Sequence, residues 1–129
     1  MGQLTAEQLN ALSVQFLAIG KAILAYRMSN DLGDRDAELE DLQNQILEKA
    51  AELATHSAVE AGDEAADAIA GLSGVTGQIT ATIQKLTDIQ KAIDIATSAL
   101  KVVVSVVSLD PGGIVEGADD LATNCNIKI

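Results

Sequence analysis

Apolar side chains return every third or fourth residue through most of this chain, and that rhythm restricts it to helices more tightly than any motif does. Leu9, Leu12, Phe16, Ile19, Ile23 and Tyr26 step 3, 4, 3, 4, 3, the spacing that keeps side chains on one face of an α-helix. Leu86, Ile89, Ile93, Ala96, Leu100, Val103 and Val107 hold the same rhythm for about three heptads. Between these two runs, Leu39, Leu42, Ile46 and Leu53 hand over to Ala54, Ala58, Ala61, Ala65, Ala68 and Leu72. The alanine half allows a neighbouring backbone to come closer than the leucine half does. The one proline is Pro111, so the first 110 residues lack the strongest helix breaker.

These periods predict an all-α protein: an antiparallel bundle of three long helices, about 5–29, 34–70 and 77–109, as one domain over 1–129. The second and third helices form a long hairpin, the first packs along it, and a short segment within the tail 112–129 caps one end. Thr5 and Asp34 are the expected N-caps, and Asp36 and Glu38 sit where carboxylates meet the positive end of the second helix's dipole. The stretch "GLSGVTG" places three glycines, Gly71, Gly74 and Gly77, at the predicted turn of the hairpin. A short helix near Ile114–Ala122 and a β excursion at 126–129 are the two readings of the tail.

The valine-rich run "VVVSVVSL" between Lys101 and Asp110 is too short to span a bilayer, which takes about 20 apolar residues. Its valines favour strands, yet they continue the heptad phase of the preceding residues. It reads as the end of the third helix, apolar all round and in need of cover, with "DPGG" as the exit.

Composition removes several function classes. A net charge of −11 with eight scattered basic residues leaves no surface for nucleic-acid phosphates and opposes docking on anionic lipid. One cysteine, Cys125, excludes an intrachain disulfide and tips the compartment toward a reducing, cytoplasmic one. The N-terminal "MGQLTAEQLN" has no basic region ahead of an apolar core, so it reads as mature sequence without a signal peptide.

No motif supplies catalytic or cofactor chemistry. Glu48, Glu52, His56, Glu60 and Glu64 recur every four residues, but di-iron bundles need Glu-x-x-His on two helices, and His56 is the one histidine. "DRDAELED" has carboxylates at Asp34, Asp36 and Glu38 but holds Leu39 and Gln45 where a calcium loop needs Gly and Glu,. The glycines of "GLSGVTG" lack the Gly-Lys-Ser/Thr of a phosphate loop. No metal, cofactor or catalytic residue is therefore assigned, and the chain reads as non-enzymatic.

What remains is apolar surface. One short helix cannot sheathe a long hairpin, so the seam Leu86, Ile89, Ile93, Ala96, Leu100, Val103 and Val107 is the expected interface, with a protein partner or a second copy, in a homo-oligomer. The alternative is membrane activity. Residues 68–84 carry no charge, and Ile69, Leu72, Val75 and Ile79 would form the apolar tip of the hairpin. Long helices with an uncharged hairpin tip resemble, in architecture, α-helical pore-forming toxins and secretion translocators.

Overall fold

The computed structural model describes residues 3–55, 59–60 and 62–127; His56, Ala58 and Ala61, and the last two positions of the tail, lie outside them. The first helix, α1 (Ala6–Ser29), starts where the sequence predicts. The Thr5 hydroxyl accepts from the Gln8 amide at 3.1 Å, and the Thr5 amide donates to the Gln8 side chain at 2.8 Å. This reciprocal pair satisfies two backbone donors that a helix start leaves open.

The two long helices expected next are each broken, which corrects the three-helix bundle to one of six α-helices among the described residues. The second becomes α2 (Asp36–Leu53) and α3 (Asp63–Ser73), and the third becomes α4 (Thr76–Gln84) and α5 (Ile89–Val107). At the first break Gly62 adopts φ +86°, open to glycine, and Asp63 and Glu64 begin α3, where the dipole favours carboxylates. Ahead of it Val59–Glu60 pairs antiparallel with Gln3–Leu4 in a two-residue ladder, and Leu4 is fully buried. At the second break the Asp88 carboxylate accepts from the Gln90 amide at 3.0 Å and restarts the helix as its N-cap. Asp34 lies in a short 3-10 turn, Gly33–Arg35, and not at the cap of α2.

The tail folds as α6 (Pro111–Asn124), longer than the short helix expected and with Pro111 as its first residue. The exit of α5 lies just before it, where Leu109 adopts φ +58°. Asp110 N donates to Ser105 O at 2.9 Å and Leu109 N to Val106 O at 3.2 Å, the Schellman pairing that normally recruits glycine. A left-handed leucine costs about 1–2 kcal/mol, and Leu109 is 54% exposed, so its side chain returns little packing. Leu109→Gly is therefore expected to raise stability by about 0.5–1 kcal/mol, net of glycine's extra chain entropy. A lowered melting temperature would contradict this backbone geometry.

Helices α1 and α2, joined by a short connection, pack as one pair, and α5 and α6 as another; α2 packs on α5 and links the pairs. The remaining two helices go to opposite partners, α3 onto α6 and α4 onto α1. Following partner to partner gives α4, α1, α2, α5, α6, α3, and the turn at Gly74–Val75 joins α3 back to α4. The circuit is closed by the chain itself and not by packing of α3 on α4. The predicted hairpin survives only as the contact of α2 with α5.

Between α2 and α6, α5 buries Ala92, Ile95, Ala99, Val102 and Val106 as well as residues of its seam. The contact with α6 is close: a Cβ on Gly117 would lie 3.1 Å from the Val102 amide nitrogen. Asn124 fastens the far end, donating to Ser98 Oγ at 2.7 Å and to Asp94 O at 3.2 Å. The valine run is thus a helix end covered on the sides of α2 and α6, with Val104 left exposed.

Candidate interaction surface

The seam predicted as an interface lies largely inside the molecule. Ile93, Ala96 and Val103 are core residues; Leu86, Ile89, Leu100 and Val107 are half-buried and packed against the core. What α5 offers a partner is Val104, 39% exposed, and the outer edges of Ile89, Leu100 and Val107; Leu86 precedes the helix. The predicted tip is likewise turned inward, with Ile69, Leu72 and Ile79 buried and Val75 half-buried against the core. Residues 68–84 are still uncharged, but they form the α3–α4 corner.

Among the described residues, three of the five exposed large hydrophobics lie on α1, the others being Val104 on α5 and Leu109 in the turn after it. The inner face of α1 carries the seam residues Leu9, Leu12, Phe16, Ile19, Ile23 and Tyr26, all buried. On its outer face Val14 is 60% exposed, Met28 69% and Leu24 38%, with Ala11, Ala18 and Ala25 exposed among them. At ~100° per residue, these positions occupy one side of the helix. Lys21 and, in the first turn of the helix, Glu7 are the charges on this side. Helix α1 is, among the described residues, long and apolar enough to cross a membrane, and half of that window is buried in the protein.

Beside this face runs α4, which carries no charged residue. Ala18, Lys21 and Ala25 line a shallow groove with Thr80 and Gln84 of α4. The Ser73 hydroxyl reaches Gln15 of α1 at 3.2 Å, so the α3–α4 corner sits on the same side. Of 19 acidic residues, α1 holds Glu7 alone and α4 none. A protein of charge −11 therefore has one nearly neutral flank.

The opposite character appears between α3 and α6, where a cavity of about 530 Å³ is lined by Glu64, Glu116 and Asp119 with Val115 and Pro111. Glu116 is paired with Lys101 at 2.7 Å, and that pairing raises the lysine's pKa. No serine, cysteine or histidine is among the lining residues.

Other predicted candidates are dispersed or already engaged. The acidic ladder is cut where α2 ends at Leu53, leaving Glu48 and Glu52 on a different element from Glu60 and Glu64. Asp36 serves Arg27: Arg27 Nε and Nη2 donate to its two carboxylate oxygens at 3.0 Å each, Nη2 also reaches Glu40 at 2.9 Å, and Nη1 donates to Gln43 at 2.7 Å. Hydrogen bonding from the guanidinium holds the Asp36 carboxyl below its ordinary pKa. Burial pushes the Cys125 thiol up to about 11, which leaves it protonated and a poor nucleophile at neutral pH.

The outer face of α1 was not singled out from sequence because attention to the seam asks only which residues share one face. The signal lay in the remaining positions, where a surface helix normally carries charge and α1 carries valine, leucine, alanine and methionine. No protein-family profile, curated protein or solved structure matches the chain.

Proposed function

We propose that this chain is a non-enzymatic interaction module whose working surface is the outer face of α1 with the flank of α4. The observation that supports the reading is an exposed apolar stripe along a helix whose other side is already core. Single exposed hydrophobics are ordinary on soluble proteins; a contiguous row on a nearly neutral flank is the form that partner surfaces take. The interface expected on α5 moves to α1 for a physical reason, since α2 and α6 already use most of the α5 seam. The partner is a protein, in another chain or a second copy.

Photo-crosslinking in the cell that makes the protein tests this. A photoreactive residue at Val14 is expected to trap adducts, while one at Gln45, exposed on α2, is expected to trap few. Equal labelling at the two positions, or none at Val14, would overturn the reading.

Membrane activity is the competing use of the same stripe, through the hydropathy of α1. Adducts at Val14 with lipid in place of protein would favour it.

A further inference from the structure

The outer face of α1 has an internal charge pattern that selects an occupant. Glu7, Val14 and Lys21 are spaced by sevens, so at ~100° per residue they fall within about 40° of one another. All three are exposed. Among the described residues neither Glu7 nor Lys21 belongs to an ion pair. Four turns of helix, ~21 Å, separate the two on one chain, so they cannot meet each other within it. Two antiparallel copies of α1 that cross at Val14 bring them together twice.

We infer that the occupant of this face is a second copy of the chain, with α1 against α1 about a twofold axis through Val14, and Glu7 of each copy facing Lys21 of the other. This inference rests on the reading of the α1 face as an interaction surface. Ala11 and Ala18 flank Val14 along the helix, and their small side chains let two backbones approach to the ~8 Å end of the usual range. Charge also opposes other arrangements. Copies of a −11 protein repel wherever acidic surfaces meet, and the α1–α4 flank is where that repulsion is least. A register centred between Leu17 and Ala18 would set Lys21 against Val14 and leave both charges without partners, so the ion pairs fix the crossing point.

The size of the face sets the strength. With the axis at Val14 the two helices overlap over residues 6–22, ~25 Å, so a contact strip ~12 Å wide buries on the order of 300 Å² per copy, well under half of what a standard stable complex buries. The dimer is weak and reversible, populated at hundreds of micromolar and dispersed on dilution.

Sedimentation velocity of the full chain from about 10 µM to 1 mM tests the inference, with circular dichroism to confirm that each variant is folded. Wild type is expected to shift from monomer to dimer. Glu7→Lys and Lys21→Glu, each alone, place like charges at both contact points and are expected to weaken the dimer about tenfold or more. An equimolar mixture of the two single variants restores complementarity at both points and is expected to dimerise like wild type. The recovery on mixing is a readout that a merely destabilised variant could not give. A wild type that stays monomeric at 1 mM overturns self-association, as does migration with added phosphatidylcholine vesicles in place of dimer formation. A dimer indifferent to both charge reversals overturns the register. In each of these cases protein adducts at Val14 would still support the interaction module, so the two readings fail separately.

Discussion

Val103→Asp is expected to unfold the chain, and Leu100→Asp, three residues away on the same predicted seam, to leave it helical. Val103 is fully buried where α5 lies between α2 and α6. An aspartate there loses the packing of two methyl groups and places a carboxylate with no designed partner in the core. That combination costs upward of about 4 kcal/mol, against a total stability of about 5–15 kcal/mol for a domain of this kind. Leu100 is half-buried, so its replacement can turn toward water at a cost of about 1–2 kcal/mol. Far-ultraviolet circular dichroism and urea melts at neutral pH separate the two outcomes. A folded Val103→Asp variant with wild-type stability would return the seam of α5 to the surface and reinstate it as an interface.

Removing Arg27 should have the next largest effect, and one that depends on pH. Its guanidinium is almost wholly buried while Asp36 and Glu40 remain partly in solvent, and Gln43, itself buried, accepts from it. Arg27→Leu leaves the Gln43 carbonyl oxygen without its donor and loses the bidentate clasp on Asp36. The expected loss is about 2–3 kcal/mol, or a fall in melting temperature of roughly 10 °C. Arg27→Lys, which keeps the charge but not the planar fork, is expected to fall between the two.

Because the guanidinium lowers the Asp36 pKa in the folded state, that carboxylate stabilises the fold at pH values above its unfolded pKa, about 3.9. The contribution fades as pH drops through that value and is gone once pH passes below the depressed folded one. The stability gap between wild type and Arg27→Leu should therefore be widest at neutral pH and narrow in acid. Urea titrations at pH 7, 4 and 2.5 measure it. A gap constant across that range would show that the clasp does not involve an ionised Asp36.

Where the fold was legible, the signals were local. The start of α1 could be read from Thr5 and Gln8 because both halves of a capping box lie within one turn, and its core face from six large side chains in phase. The break between α2 and α3 was hidden by alanines. Ala54, Ala58 and Ala61 keep helical spacing, but so small a side chain buries little apolar surface, so its period weighs less than the Gly62-Asp63-Glu64 start signal that follows. The break before α5 was hidden differently. Leu86 and Ile89 hold the heptad phase across it, and only the capping ability of Asp88 marks the interruption. Periodicity also counts faces poorly: it found one face of α5 where the structure buries a much wider arc, because α5 has large neighbours on two sides.

The neutral flank proposed as an interaction surface was legible in its parts and not in its assembly. The absence of charge from residues 68–84 was plain in the sequence and was read as a tip exposed to lipid. In the folded chain the apolar members of that segment, Ile69, Leu72 and Ile79, point into the core, and its neutrality instead continues the flank begun by α1. Which segment lies beside which is settled by contacts between residues far apart in sequence, such as Ser73 with Gln15. No local pattern encodes them.

The closed circuit of helices also limits how many neighbours a copy can recruit. A solenoid has an uncapped end onto which the next unit stacks, so its length is open. Here the turn at Gly74–Val75 ties α3 to α4, the two ends of the row. Growth can occur only through the outside, where one flank is neutral and the acidic remainder repels its like. A contact that is its own complement about a twofold axis consumes that flank on both copies at once. On the twofold contact proposed through Val14, the valence of the particle would be one, and copies joined this way would end in pairs.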